Sequence, residues 1–499
     1  MGKPNFIIFI TDTQGANVVG CYGHPELRTP NIDRLASQGA RFERAYTTAP
    51  VCTPARAGLF TGVYSHNSGP WANSIPLYEN TRTMAHYFGD AGYHCAYSGK
   101  WHLSGHDYFD TGVCPSGWDP EIWFDGKNYL DELSDEETKR WREAVAGIDG
   151  LPDERITAEF TWAHRVSDGG IQFLNRDHER PFCLVLSYDE PHHPWACPRE
   201  FAEPFSDYGY PVEVPGDDEP GNKPGIQKEW RQTVRGIPSD QQPLRDGKFY
   251  MPAYFGCNSF VDHEIGRVVA EVDRLGLDED TYVIFTSDHG DLMGEHGLLS
   301  KGACMYDSAA RIPLIIRPPV ESRVPCVVQS PVSHADLLPT MLTLSGETPP
   351  DILYGENIDR LIAGTEQPDK AVFIEFNRFE IGHDSFGGFQ PIRCIVRDNY
   401  KLAINLLSSD ELYNLADDPG ERNNLIEDPA SAEVRQRLHR DLLDWMNRNR
   451  DPFRGFVWDR RAWGSSLGLE WSGPYRPRPD DGAWPRELGY GTGKPIDED

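Results

Sequence analysis

Cys52-Thr53-Pro54-Ala55-Arg56 places a thiol at the start of a predicted helix and a cation four residues on, one turn further along the same face. A helix start gathers free backbone N–H groups and the positive end of the helix dipole, and Arg56 adds a charge-assisted donor. The result is a reactive centre suited to an anion. Ala55, Ala57 and Gly58 leave room for close packing behind it. The plainer reading of Cys52 is a buried structural cysteine beside a helix start.

Other residues capable of chemistry follow apolar, β-branched runs. Asn5 to Thr11 reads as a buried parallel strand and ends at Asp12-Thr13-Gln14-Gly15. Tyr282 to Ser287 ends at Asp288-His289-Gly290, with Gly294-Glu295-His296-Gly297 and Lys301 beyond. Ligands sit at the carboxyl ends of strands in an open α/β sheet, so Asp12, Asp288 and His289 are candidate ligands for a hard divalent cation. A strand from Tyr93 to Ser98 feeds Gly99-Lys100-Trp101-His102, and one from Phe182 to Tyr188 feeds Asp189-Glu190-Pro191-His192-His193-Pro194. Taken alone, Lys100 and His102 read as surface residues and His192 as a turn residue capping a strand end. A histidine is nevertheless apt for proton transfer near neutral pH.

In this order, from residue 5 to about 425, these segments resemble the type I sulfatases of the alkaline phosphatase superfamily. Cys52 to Gly62 resembles the Cys-x-Pro-x-Arg…Thr-Gly signature, and Gly99 to Ser104 the second signature. Pro191-His192-His193-Pro194 resembles the family's Pro-His-x-Pro turn, and Glu411 to Leu425 a recurrent C-terminal segment of structural role. The resemblance implies that a maturation enzyme oxidises Cys52 to Cα-formylglycine, whose hydrated aldehyde is the nucleophile. It further implies one divalent metal, Ca²⁺ favoured with Mg²⁺ or Mn²⁺ as alternatives, held by Asp12, Asp288, His289 and an oxygen of the modified Cys52. Arg56, Lys100 and Lys301 would hold the sulfuryl oxygens, His102 would hydrogen-bond the diol, and His192 would protonate the departing alcohol. The family's Asp-Asp pair is broken here, since Thr13 and then Gln14 follow Asp12, which leaves open whether either one ligates. The reaction implied is hydrolysis of a small anionic substrate, a sulfate ester, with a sulfated sugar expected from family frequency. The alternatives are a phosphonate monoester hydrolase or phosphodiesterase of the same superfamily, or a non-catalytic binder of sulfated glycans if Cys52 stays unmodified. A two-zinc phosphatase would need a further cluster of His and Asp that the sequence does not place.

The elements that must position these residues fit an α/β fold with a large, mostly parallel sheet sandwiched by helices, alkaline phosphatase-like by the resemblance. A smaller C-terminal antiparallel-sheet α+β subdomain follows. The expected divisions are 1–369 for the catalytic domain, 370–450 for the subdomain and 451–499 for a tail. Helices are expected from Thr29-Pro30, with Ile32, Leu35 and Ala36 on the inner face, and over Met84 to Ala91, 158–176, Asn258 to Leu275, Ser333 to Leu344 and Ala432 to Asn447. Short strands at Ala371 to Phe376, Ile392 to Val396 and Lys401 to Asn405 mark the subdomain. Arg199 to Lys248, including Pro215-Gly216-Asp217-Asp218-Glu219-Pro220, reads as a long insertion over the ligand edge, where substrate choice is made.

The chain of 499 residues can bury a large core. Its net charge of −30 argues against nucleic acid and anionic membranes as partners, so an anionic substrate must be drawn in by local cations. Ten cysteines without a CxxC pair form neither a disulfide framework nor a zinc ribbon. No membrane span or signal peptide is visible, so the chain as written is expected in the cytoplasm, or exported if a signal was removed. The tail is rich in Pro, Gly, Arg and Trp and carries the aromatics Phe453, Phe456, Trp458, Trp463, Trp471, Tyr475 and Trp484. It either straps its own domain or crosses to a neighbouring subunit, which would make a homo-oligomer.

Overall fold

The computed structural model describes residues 2–145, 150–213, 223–239, 241–365, 370–380, 388–461 and 463. The chain divides into two compact units, Met1–Arg454 and Gly455–Asp499. In the second, a short helix Phe456–Asp459 is described. Trp471, Tyr475 and Trp484, the oligomer expected of the tail, and the acidic run Pro215 to Pro220 lie outside the described residues.

In the first unit the apolar run Asn5–Thr11 is buried along its whole length and forms the middle of a seven-stranded sheet. Across the sheet the order is Cys326–Val328, Ala40–Phe42, Leu314–Arg317, Thr281–Ser287, Asn5–Thr11, Phe182–Ser187 and His94–Gly99. Thr281–Ser287, Asn5–Thr11, Phe182–Ser187 and His94–Gly99 run parallel, while Leu314–Arg317 is antiparallel to both its neighbours. Parallel strands covered on both faces are apolar throughout rather than alternating, as Phe6 to Ile10 illustrates. One face of the sheet meets Phe6, Ile8 and Ile10 with Phe60, Phe88 and Leu338; the other meets Ile7 and Phe9 with Val166, Phe173, Val261 and Val268.

Register decides the site. Ile10 pairs with Ser187, Thr11 with Ser287 and Gly99 with Ser187, so four neighbouring strands end at one level. The residues that follow, Asp12, Asp288, Asp189 and Lys100, therefore meet above the sheet.

Most expected elements form within a few residues of their expected bounds, and the departures have local causes. The helix expected from Asn258 begins at Pro252, because proline's fixed φ and missing N–H suit the first helical turn, and it runs to Arg274. Thr29 does not cap the helix Pro30–Ser37; its hydroxyl accepts from the Gly20 amide and donates to Asp33. The helix Trp162–Leu174 is preceded by a 3-10 turn, Ala158–Phe160. The insertion has structure of its own: an amphipathic helix Gly225–Arg235 buries Trp230 and Val234, and small antiparallel strands pair Tyr210–Pro211 and Leu244–Arg245 with Lys248–Phe249. A four-stranded antiparallel sheet, Val372–Phe376, Ile392–Arg397, Tyr400–Asn405 and Glu411–Asn414, packs on the helix Ala432–Arg448 through contacts such as the stacked rings of Phe373 and Trp445. Its last strand, Glu411–Asn414, is not expected from the sequence because Glu and Asn disfavour strands; Leu412 and Tyr413 are buried there nonetheless. No described helix is long and apolar enough to cross a membrane.

Two predictions follow from this scaffold. Gly99 has φ 114°, and a Cβ there would lie 1.8 Å from the Ser187 carbonyl oxygen on the neighbouring strand. Gly99→Ala should cost about 3 kcal/mol or more in urea unfolding, combining left-handed strain with overpacking. The second concerns Glu375, on the small sheet, whose carboxylate bonds the Ser65 hydroxyl, the His66 ring and the His66 amide. Burial works against ionisation of both partners, yet their mutual attraction prevails, holding Glu375 down to about 2 and raising His66 above 6.5. Glu375 therefore stabilises the fold above its ordinary value of 4.5 and loses this as pH falls toward about 2, whereas the His66 contribution is complete below 6.5 and fades as pH rises through its raised value. The stability lost in His66→Ala should be greatest between about pH 4.5 and 6.5, as read from unfolding midpoints across pH.

Candidate active site

The helix Cys52–Thr61 is buried at every residue, which its small side chains permit. Gly58 is required because a Cβ would fall 2.1 Å from the Thr48 hydroxyl oxygen, and the helix ends on Gly62 at φ 66°. Val51 is extended and offers no side-chain cap, so the start of the helix has no hydroxyl or carboxylate of its own covering it. Cys52 stands at that start beside the strand ends.

Arg56 is completely buried and reaches across the strand ends. Its Nε donates to Asp288 at 2.9 Å, one terminal nitrogen donates to Asp12 at 3.3 Å, and the other donates to the Lys100 carbonyl at 2.7 Å and the Ser187 hydroxyl at 2.9 Å. Lys100, also wholly buried, lies 2.8 Å from Asp12 and 2.8 Å from Asp189. Asp189 was not singled out from sequence, although it occupies the same strand-end position as Asp12 and Asp288. Lys301 is 4% exposed, and its ammonium forms no hydrogen bond or ion pair with any described residue. A buried cation without a bonded partner is a place for an anion.

These charges pull the pKa values apart. Burial alone would raise Asp12, but Lys100, His192, Lys301 and Arg56 bring it well below the carboxylate range. Asp288 is raised by burial and by Asp12 beside it. His289 loses basicity to burial but gains more from Asp288 and Cys52, reaching about 9. His102 and His192 are both driven well below 6.5, first by burial and then by lysines: Lys100 for His102, and Lys301 with Lys100 for His192. Both shifts favour the neutral imidazole.

The donor set fits a hard divalent cation. Ligand atoms of Asp12, Cys52, Asp288 and His289 all lie within 4.8 Å of one another, in a buried cluster. The His289 Nδ1 lies 2.9 Å from the Gly290 carbonyl, and a ring that donates there and has given up its second proton would turn the Nε2 lone pair, 3.1 Å from the Cys52 sulfur, to a cation. The Cys52 thiol stands where an oxygen would be after oxidation, and it lies 3.8 Å from Asp12 Oδ1. Thr13 gives its amide to Asp288 and its hydroxyl to the Asp12 carbonyl. The Gln14 side chain is engaged by Thr11 and Asn258. A second group, His66, Glu375 and Asp451, has ligand spacing, but Arg393 already bonds Asp451 and lies 3.8 Å from Glu375.

His102 and His192 stand on loops held at both ends. His102 has φ 56°, and Asp110 accepts its amide at 2.5 Å while binding the amide and hydroxyl of Ser104. Its ring Nδ1 is buried without a partner, and Tyr108 packs against the ring edge-on. The His192 Nδ1 is 2.8 Å from the His193 carbonyl, which as acceptor orients the ring. His192 and Lys301 line one cavity of about 270 Å³ together with Thr13. Glu295 and His296 lie outside the metal cluster, with His296 stacked on Tyr306 at 3.6 Å.

A family model described as Sulfatase matches residues 4–347, and one described as N-sulphoglucosamine sulphohydrolase, C-terminal, matches 294–448. The chain is 50% identical over 498 residues to "Uncharacterized sulfatase YidJ" of Escherichia coli strain K12, covering 99% of this chain and 98% of that one. Among solved structures it is similar to BT4656 in complex with its substrate D-glucosamine-2-N,6-O-disulfate, with TM-score 0.73, 22% identity, and 91% of this chain and 99% of that chain covered. It is also similar to the phosphonate monoester hydrolase of Agrobacterium radiobacter, with TM-score 0.69, 24% identity, and 90% and 96% covered.

Arg56→Ala would leave two buried carboxylates facing each other. Its expected cost is about 3–5 kcal/mol, measured by denaturant unfolding in the presence of a chelator.

Proposed function

Since the chain belongs to the sulfatase family, within the alkaline phosphatase superfamily, and is a sulfate ester hydrolase, we propose that it works through a formylglycine derived from Cys52 and one divalent cation, on a sulfated saccharide. The observation that carries this reading is the convergence on Cys52 of Asp12, Asp288 and His289 with the cations Arg56 and Lys100 in one buried cluster. The phosphonate monoester hydrolase among the structural neighbours keeps esters of phosphorus as the rival substrates.

Asp12, Asp288, His289 and the modified Cys52 would hold the cation, Ca²⁺ favoured by the two carboxylates and Mg²⁺ or Mn²⁺ as alternatives; when bound it supplies charge neutralisation and acidifies a neighbouring hydroxyl. The hydrated aldehyde at residue 52 supplies one hydroxyl that takes the sulfuryl group and a second whose deprotonation releases sulfate and restores the aldehyde. Lys100 and Lys301 bind the sulfuryl oxygens, and Arg56 holds Asp12 and Asp288 in place while adding positive field. His192 delivers a proton from Nε2 to the oxygen of the departing alcohol. After burial, Lys301 and Lys100 are what lowers the basicity of His192, and a sulfate that pairs with them would raise it. His102, neutral and with an unpartnered nitrogen, takes the proton lost by the second hydroxyl.

Peptide mass spectrometry around Cys52, on protein made with the maturation enzyme, should find the aldehyde or its hydrate, and Cys52→Ala should abolish turnover. Unmodified cysteine in an active preparation would refute the nucleophile. His192→Ala should slow an alkyl sulfate about 10²–10⁴-fold and an aryl sulfate with an acidic phenol far less. Chelation should lower the melting temperature, with Ca²⁺ restoring it best. Rates on paired sulfate and phosphonate esters decide between substrate classes, and a phosphonate preference would overturn the sulfatase reading of this site.

A further inference from the structure

The cavity that receives the departing alcohol is defined by what stands opposite the sulfate-binding groups. Beyond His192 and Lys301 its wall is made by Trp195, Phe249, Met251, Tyr254, Met293 and Leu299. Phe249, Met251, Tyr254 and Met293 belong to one buried cluster with Phe205, Tyr210 and Phe255, and Trp195 and Leu299 pack against it, so the wall is backed by core. Tyr254 gives its hydroxyl to the Thr13 carbonyl at 2.9 Å, which leaves its ring as its contribution to the cavity. Thr13 donates its own hydroxyl to the Asp12 carbonyl. Besides His192 and Lys301, the polar side chains that remain to address the alcohol are His193, Asp291 and Ser300.

Charge is more selective still. Among the residues lining the cavity Lys301 is the one lysine or arginine, and it belongs with the sulfuryl group. The other ionisable residues there are His192 and His193, both shifted toward the neutral form, and Asp291, a carboxyl group that accepts the Met293 amide at 2.8 Å. Among the described residues that line this pocket, a second sulfate or a carboxylate on the alcohol would meet no cation besides Lys301, and would stand beside apolar rings and Asp291.

Resting on the sulfatase reading above, we propose that the enzyme selects a compact alcohol that carries no second anionic group and docks the apolar face of a single ring against Trp195, Phe249 and Tyr254. The cavity of about 270 Å³ is of a size for one ring against this wall. An aromatic ring and the C–H face of a neutral sugar present the same chemistry to this wall.

The test compares kcat/KM for 4-nitrophenyl sulfate, N-acetylglucosamine 6-sulfate, glucosamine 2-N,6-O-disulfate and an unsaturated hexuronate 2-sulfate. One of the first two should exceed both dianionic esters by about tenfold or more, and which of the two leads identifies the source of the ring. A dianionic ester that equals or exceeds both would overturn the proposal. Leu299→Arg, which places a cation in the half-buried part of the wall, should narrow the ratio at least threefold; a ratio that does not move shows that charge is not what discriminates, and also overturns it. Calorimetry of the same esters on Cys52→Ala gives the order of affinity without chemistry. Tighter binding of the dianions there refutes the inference, whereas a preserved preference for the monoanions with no turnover by the oxidised enzyme would remove the hydrolase reading and leave the binding preference standing.

Discussion

Everything at the site depends on one buried guanidinium. Arg56 has no exposed surface, and it joins Asp12 and Asp288, which end adjacent strands and have no exposed surface either. Two carboxylates this close cannot both stay ionised without compensation, and Arg56 and Lys100 supply it with four directed contacts to carboxylates and a fixed planar fork. The same fork binds the Lys100 carbonyl and the Ser187 hydroxyl, so it also ties the helix start to the outer strands. Lysine in place of arginine would carry the charge but not the geometry.

From this constraint the anion site follows. The protein as a whole is strongly acidic, at −30, so long-range steering works against an anionic substrate. Local placement reverses the sign. Lys100 is neutralised by Asp12 and Asp189 and serves partly to set their field, whereas Lys301 keeps its charge uncommitted. Burial and then the same cations push His102 and His192 toward the neutral form.

The surroundings of the site divide by material. On the sheet side, residues are held by ladder register and tolerate little change, as the fit of Gly99 against Ser187 and of Gly58 against Thr48 illustrates. On the solvent side, the loops carrying His192 and Lys301, the Lys248–Phe249 hairpin and the start of the helix Pro252–Arg274 join in an aromatic wall.

Much of this was legible in the amino-acid sequence. Continuous β-branched runs ending in Asp12 and Asp288-His289, and a cysteine and an arginine one turn apart, are local patterns, and strand and helix periodicity converts them directly into positions. The family resemblance supplied the roles of Lys100, His102, His192 and Lys301, which no local pattern distinguishes from surface residues. Asp189 was missed because its importance is pairwise: it matters as the second partner of Lys100, 89 residues away. Structure inside the insertion was hidden by its polar composition, which masks the period of the helix Gly225–Arg235. The sequence alone thus determined that Asp12, Asp288 and His289 follow strands and that Cys52 and Arg56 share a helix face, because both follow from near neighbours in the chain. Which carboxylate meets which cation, and that an aromatic wall stands beside His192 and Lys301, were decided only by tertiary structure, because strand register and loop packing bring together residues from Asp12 to Lys301 that share no local pattern.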